Sequence, residues 1–258
     1  MRYYVVDVFT DKRFHGNSAG VCLLDEPLDA AVMQQIAAEN NLAETAFLLY
    51  QDDRFSLRWF TPKVEIDLCG HATLATALVL MNEVEKDRKR VEFDTLSGTL
   101  TVTREQDIFL MDFPRRKPVP CEVPALLSKA LGALVLETYR SRDLVAVVQS
   151  EQAVRALRPD FALLKQLTDV FAVVVTAKGE RYDFVSRFFA PNAGIDEDPV
   201  TGSSHSTLIP FWSDRLGKTE MTAAQLSKRG GTLLCKDTGE RVIIGGTGVI
   251  YLSGEITL

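Results

Sequence analysis

The chain has 258 residues, of which 46% are hydrophobic and 25% are charged. This length fits one large domain or two of ordinary size. The composition is typical of a folded globular protein and excludes disordered, collagen-like and coiled-coil classes. The net charge is -6 and the basic residues are scattered, so the concentrated basic face that nucleic-acid binding needs is not expected.

Cellular location and metal content follow from what the sequence lacks. No apolar run reaches the roughly 18 residues that span a bilayer, and Asp7 interrupts the first apolar segment, unlike a signal peptide. We expect a cytoplasmic protein that does not bind membranes. The cysteines have no CxxC spacing and histidines are few, which predicts neither a disulfide framework nor a metal site. The residues concerned are Cys22, Cys69, Cys121, Cys235, His15, His71 and His205.

The first half of the chain reads as mixed strands and helices. Strands are predicted at 3–9, 42–50 and 55–60, a helix capped by Asp29 at 30–40, and a hairpin from 91–94 and 99–104. A loop is predicted at 16–20. A helix from Gly70 to about Met81 is apolar or small on nearly every side, which indicates a central helix surrounded by protein.

The sequence resembles itself at an offset of about 130 residues. Four matches keep their order with offsets from 129 to 133: 35–36 with 166–167, 58–62 with 187–191, 69–71 with 201–203, and 97–100 with 230–233. The repeat predicts two similar domains, 1–115 and 116–258, joined near the prolines at 114–124. A single domain with a coincidental echo is the alternative. In the second half, Pro210 should kink or end the helix matching the central one, predicted at 203–211.

Glu44 is the strongest catalytic candidate because it is one acid in an apolar strand. By the two-residue period it shares a face with Leu42, Ala46 and Leu48. A carboxylate on such a face loses hydration, which suits a general acid or base. The alternative is a glutamate at the strand end that is turned to solvent. The repeat places Val173 at the equivalent position, so the acid is specific to the first half.

The two matched helix starts, 68–73 and 200–205, form a second candidate site. A helix start presents unpaired N–H groups and a partial positive charge, and a glycine there allows an anion to approach closely. If the repeat creates a pseudo-two-fold axis, the two starts can face one another across a cleft and hold a small acid. The alternative is that Gly70 and Gly202 are turn residues and that Ser203 is an ordinary N-cap.

Three further polar residues have two interpretations each. Asp198 lies in the inserted segment 196–199 and either caps the second helix, or orients His71 or takes a proton in the site. His71 either has an ordinary structural role at a helix start or transfers protons. Asn17 either belongs to a simple turn or supplies a hydrogen bond to the substrate.

Motifs at 7–10 with 16–17, 43–47, 60–73 and 198–203 resemble those of the phenazine-biosynthesis PhzF-like family. The resemblance runs from about residue 3 to the C-terminus. It implies an α+β protein with the diaminopimelate-epimerase fold, in which each of two similar domains has a curved mixed sheet or barrel around a central helix. It also implies a site without cofactor or metal, a homodimer, and a last strand, about 249–258, that returns to the first domain.

The resemblance also assigns site residues. It makes Glu44 the acid/base carboxylate and His71, Asp198 and Ser203 the other catalytic residues. Backbone groups and side chains at the two helix starts and after the first strand would bind the substrate: Asn17, Gly70, Ala72, Gly202 and Ser204. Related epimerases use two thiols, but Thr201 stands where the second would be, and its hydroxyl is too weakly acidic for that role.

These observations predict a cofactor-independent isomerase that moves a proton on a small carboxylic acid, an amino or hydroxy acid. The characterised family chemistry is a proton shift within 2,3-dihydro-3-hydroxyanthranilate. One alternative is an epimerase or dehydratase on the same fold. Another is a non-catalytic protein that binds small acids.

Overall fold

The computed structural model describes residues 1–51 and 54–258, which form two compact units. The first unit contains Met1–Asp112 together with Gly245–Leu258, and the second contains Phe113–Ile244. This division lies three residues before the boundary predicted from the sequence. The domain limits 1–115 and 116–258 stay a prediction. Within the described residues, no helix has the length and apolar character needed to cross a bilayer.

Strands and short helices alternate along the chain. The first part contains β1 (Arg2–Val8), β2 (Asn17–Leu24), α1 (Ala30–Asn40), β3 (Glu44–Gln51), β4 (Arg54–Phe60), β5 (Glu65–Ile66), α2 (Gly70–Val79), β6 (Arg90–Thr95), β7 (Gly98–Glu105) and β8 (Ile108–Pro114). The second part contains β9 (Val119–Cys121), α3 (Leu127–Leu131), β10 (Glu137–Arg140), β11 (Leu144–Val147), α4 (Glu151–Ala156), α5 (Phe161–Leu164), β12 (Val173–Lys178), β13 (Phe184–Ala190), β14 (Ile195–Asp198), α6 (Gly202–Leu216), β15 (Glu220–Gln225), β16 (Gly231–Asp237), β17 (Arg241–Gly246) and β18 (Gly248–Glu255).

The first unit places α2 against a mixed sheet. Strand β2 pairs in parallel with β3, β3 antiparallel with β4, β4 in parallel with β6, and β6 antiparallel with β7. Strand β1 lies between β2 and β18 and is antiparallel to both. All ten residues of α2 are buried. The prediction of a central helix is therefore confirmed, and the continuous apolar surface of α2 is what makes this burial favourable.

The second unit repeats the pairing order of the first. Strand β11 pairs in parallel with β12, β12 antiparallel with β13, β13 in parallel with β15, and β15 antiparallel with β16. Helix α6 has the place in this order that α2 has in the first unit, and most of its residues are buried. The weak sequence repeat therefore corresponds to a repeated arrangement of strands around a helix.

One ion pair is also repeated, although its acid comes from different positions. In the first unit Arg58 donates two hydrogen bonds to Glu65, at 2.7 and 2.8 Å, and lies over the Phe60 ring. In the second unit Arg187 donates two to Glu197, at 2.7 and 2.9 Å, and lies over Phe189. The inserted segment before α6 thus supplies a structural acid, since Glu197 lies within it.

Of the two effects expected of Pro210, a kink or an end of the helix, the second is wrong. Helix α6 continues to Leu216 with Pro210 inside it. A proline removes the N–H that would bond to the carbonyl four residues earlier, here that of Ser206. The backbone N–H of Arg116 donates to this carbonyl at 3.0 Å. A distant segment therefore satisfies the acceptor that the proline leaves open.

The prediction of a loop at 16–20 is wrong. Strand β2 includes four of these five residues, and only Gly16 lies outside it. Strand β2 begins at Asn17, which lies opposite Val8 of β1. Ser18 donates a short hydrogen bond to the buried carboxylate of Asp7, and the Phe14 backbone N–H donates to the same carboxylate at 2.8 Å. Polar residues that suggested a turn therefore join β2 to β1.

Gly16 is a position that requires glycine. Its φ is +65°, and a Cβ there would lie 2.1 Å from the Val8 carbonyl oxygen. We expect Gly16→Ala to destabilise the first unit by about 2 kcal/mol, because the backbone is left-handed and the added methyl overlaps backbone atoms. Gly98→Ala is the control, since Gly98 also has positive φ but open space around it. Equal losses for both variants in urea unfolding would contradict the overlap argument.

Candidate active site

Glu44 and His71 meet inside the first unit. Glu44 is the first residue of β3 and His71 is the second residue of α2. Both residues are buried, with 8% and 7% of their surface exposed. The Nε2 atom of His71 lies 3.1 Å from Oε2 of Glu44. The strand-end glutamate is therefore not turned to solvent, and the packing of α2 on β3 brings the acid and the base together.

The two facing atoms are poorly satisfied. Although they lie within ion-pair distance, their alignment falls short of a well-formed hydrogen bond, and neither has another partner in the described part of the chain. A buried polar atom without a partner is costly, and such atoms are concentrated at functional sites. The pair is thus a site at which a third polar group would be stabilised.

Cys69 lies on the other side of the His71 ring. It is the N-cap residue of α2, and its Sγ atom lies 3.6 Å from Nδ1 of His71. Glu44, His71 and Cys69 therefore form a compact cluster in which the carboxylate contacts one imidazole nitrogen and the thiol contacts the other.

Burial and neighbouring groups shift the pKa values in this cluster. Burial raises the pKa of the Cys69 thiol, and the Glu44 charge adds to this effect. Burial alone lowers the pKa of His71, but its interactions with Cys69 and Glu44 outweigh this effect and raise that pKa well above its ordinary value. Because the buried thiol stays protonated, Glu44 is the partner that favours the imidazolium form.

The same three residues are the potential metal ligands. Glu44, Cys69 and His71 each offer one ligand atom, and these atoms lie within 4.8 Å of one another. The fit is poor, since sulfur and carboxylate contact opposite nitrogens of one ring, and a single ion binds only one of them. The arrangement suits proton transfer better than metal binding.

The first turn of α2 contains the backbone N–H groups that were predicted to bind an anion. No side chain caps it with a hydrogen bond, and the first N–H groups of a helix have no acceptor within the helix. Gly70 and Ala72, both predicted to bind substrate, lie in this turn beside His71. Asn17 lies on β2 two residues before Ala19, which is level with Glu44 in the sheet.

The other predicted site residues lie in the second unit around the start of α6. Asp198 ends β14 and accepts a short hydrogen bond from the Thr201 hydroxyl. Gln225, which is fully buried, accepts from the Thr201 backbone N–H at 2.9 Å and donates to the Asp198 carbonyl at 2.7 Å. Asp198 is thereby fixed to the N-cap residue, and its role in proton transfer stays a prediction.

Ser203 has a cationic neighbour that sequence reasoning missed. The guanidinium of Arg142 donates to the Ser203 hydroxyl at 3.2 Å and makes two hydrogen bonds to Asp143, which is 1% exposed. Gly202 and Ser204 lie in the same turn as Ser203, and the Ser204 hydroxyl donates to the Thr201 carbonyl. Thr201, and not Ser203, is the N-cap residue.

His205 occupies a separate position inside the second unit. It is fully buried, its Nδ1 lies 2.8 Å from the Thr201 carbonyl oxygen, and its ring contacts Phe184. Because a carbonyl only accepts hydrogen bonds, Nδ1 is the protonated nitrogen. Nε2 has no partner in the described residues. This histidine is neutral and structural.

The chain is similar to known proteins in both sequence and fold. Residues 6–254 match the family model of phenazine biosynthesis-like proteins. An uncharacterized isomerase of Pseudomonas aeruginosa is 50% identical over 255 residues, which cover 99% of this chain and 98% of the relative. A PhzF-family crystal structure from Enterococcus faecalis has 47% identity and a TM-score of 0.98, with 100% of this chain and 99% of that chain covered.

A more distant structure defines the wider fold class. A probable proline racemase of Agrobacterium radiobacter matches with a TM-score of 0.66 at 11% identity, over 100% of this chain and 93% of that one. The protein therefore has the α+β fold shared by PhzF proteins and proline racemase-like epimerases. Within that class, the chain belongs to the phenazine biosynthesis-like PhzF family. The isomerase names of its relatives support an isomerase-type function.

Proposed function

We propose that the protein is a cofactor-independent isomerase that moves a proton on a small carboxylic acid, an amino or hydroxy acid. The observation that carries this proposal is the buried Glu44 carboxylate beside the His71 imidazole, with facing atoms that lack well-formed partners. A buried acid/base pair can hold a proton and release it to a substrate carbon.

In the proposed reaction Glu44 removes a proton from carbon and returns it at another position. The first turn of α2 holds the substrate carboxylate through the backbone N–H groups of Gly70, His71 and Ala72. His71, beside Glu44, positions the substrate and relays protons between Glu44 and its surroundings. Asp198 and Ser203 would contribute substrate contacts from the start of α6, assisted by Asn17 and the backbone of Gly202 and Ser204.

Incubation with candidate acids in deuterated water tests this function. The panel contains 2,3-dihydro-3-hydroxyanthranilate and small amino and hydroxy acids, and mass spectrometry reports deuterium incorporation. A proton shift replaces hydrogen by deuterium and leaves the rest of the molecular formula unchanged. An epimerase also inverts a stereocentre. A dehydratase lowers the mass of the product because water is lost. Failure of every acid to gain deuterium, with binding retained, would support the non-catalytic alternative.

A further inference from the structure

The N-cap residue of α2 has a side chain with an unusual contact. Residues at this position commonly hydrogen-bond to the first turn of the helix, but Cys69 makes no capping bond of ordinary geometry, although its sulfur interacts weakly with the Ala72 N–H. Its sulfur instead contacts Nδ1 of His71 at 3.6 Å, and the residue is only 6% exposed. The contact is therefore enclosed with Glu44 and His71, away from the surface.

We propose that Cys69 is a positioning residue whose sulfur holds the Nδ1 side of the His71 ring, so that Nε2 faces Glu44. This role rests on the proposed function for its catalytic meaning, although the geometry itself is measurable without a substrate. Cys69 does not exchange protons with the substrate in this arrangement.

The two ring nitrogens of His71 then have different tasks. Because burial keeps the Cys69 thiol protonated and neutral, its sulfur accepts a weak hydrogen bond from the Nδ1–H of the imidazolium. The Nδ1 proton is thereby fixed. The proton that can move lies between Nε2 and the Glu44 carboxylate, 3.1 Å apart, which is the side where Glu44 acts.

The second unit provides an independent parallel. Thr201 is the N-cap residue of α6 and also makes no capping hydrogen bond with its side chain. Its hydroxyl donates to the carboxylate of Asp198, another predicted catalytic residue. In both units, the N-cap side chain is thus directed at a titratable residue of the predicted site.

Other titratable groups near α2 do not explain the charge on His71. Asp7 of β1 accepts hydrogen bonds from Ser18 and from the Phe14 backbone. Burial raises the pKa of Cys22 of β2 to about 12, so this thiol is neutral. Among the described residues, the groups that act on His71 are Cys69 and Glu44. A change at Cys69 should therefore be seen directly in the titration of His71.

Nitrogen-15 NMR of the imidazoles in the full-length chain tests this role. The chain has three histidines, and the signals lost in His71→Gln identify His71. We expect Cys69→Ala to lower the titration midpoint of His71 by about one pH unit, because the buried imidazolium loses a hydrogen-bond acceptor. Cys69→Ser should largely restore the midpoint, since its hydroxyl also accepts. Cys121→Ser, a thiol change in the second unit, should have no effect.

Each possible result of this experiment either supports or overturns the positioning role of Cys69. An unchanged midpoint in Cys69→Ala would overturn the proposal. If that variant does not fold, the Nδ1 resonance in Cys69→Ser decides: it should shift more than the Nε2 resonance as sulfur becomes oxygen, and an unchanged Nδ1 signal would overturn the proposal. None of these measurements needs a substrate, so an absence of deuterium exchange would refute the isomerase function without affecting this result.

Discussion

Glu44→Gln should reduce proton transfer by a factor of about 10² to 10⁴ while leaving the protein folded, because general acid/base catalysis contributes about this much to a rate. Glutamine has nearly the same shape as glutamate but cannot take up a proton at neutral pH. The residue lies at the start of β3, where its loss of charge leaves the strand pairing intact.

The measurement is the rate of deuterium incorporation into an acid that the unchanged protein turns over. Glu39→Gln is the matched control, because it removes the same charge from an exposed residue of α1. Circular dichroism verifies folding. Equal rates for Glu44→Gln and the unchanged protein would remove Glu44 from the mechanism.

His205 should make the second unit sensitive to acid. Burial lowers the pKa of His205 from 6.5 to about 4, although its contact with the Thr201 carbonyl opposes the change. The unfolded chain therefore binds a proton more readily than the folded one. Stability is fully present above pH 6.5 and is lost as the pH falls from there toward 4, by up to about 3 kcal/mol.

His205→Asn isolates this effect. The asparagine amide can donate to the Thr201 carbonyl as Nδ1 does, but it does not titrate. We expect the variant to be less stable than the unchanged protein at pH 8, where it loses contact with Phe184, and to lose less stability between pH 7 and 4.5. Urea unfolding followed by tryptophan fluorescence gives both values. Parallel pH dependences for the two proteins would show that His205 does not contribute to acid sensitivity.

Much of the fold could be predicted because its signals are local or repeated. The lone acid in an apolar strand identified Glu44 as a buried carboxylate, and an apolar surface on all sides of 70–81 identified α2 as a central helix. The repeat at an offset of about 130 residues anticipated the shared strand order of the two units. Each of these signals is a direct consequence of burying apolar surface in a regular element.

The rest depended on contacts between distant segments. Nothing in the local sequence distinguishes Gln225 or Arg142, since their importance comes from the atoms of Asp198 and Ser203 that they contact. Pro210 is locally a helix-breaking residue, but α6 continues through it, and the backbone of Arg116 supplies the donor that the proline lacks. The contact of Cys69 with His71 depends on a side-chain rotamer, which sequence spacing does not determine.

The pairing of β1 with β18 has a consequence for biogenesis. Val8 lies opposite Gly248, which the ribosome adds 240 residues later. At synthesis rates of 5 to 20 residues per second, this corresponds to a delay of roughly 10 to 50 s. The sheet beside Glu44 is therefore completed only when β18 emerges, long after β1 and β2 have been synthesised. Nonsense mutations that remove just β18 should release truncated chains in which the unpaired edge of β1 is accessible to chaperones and proteases.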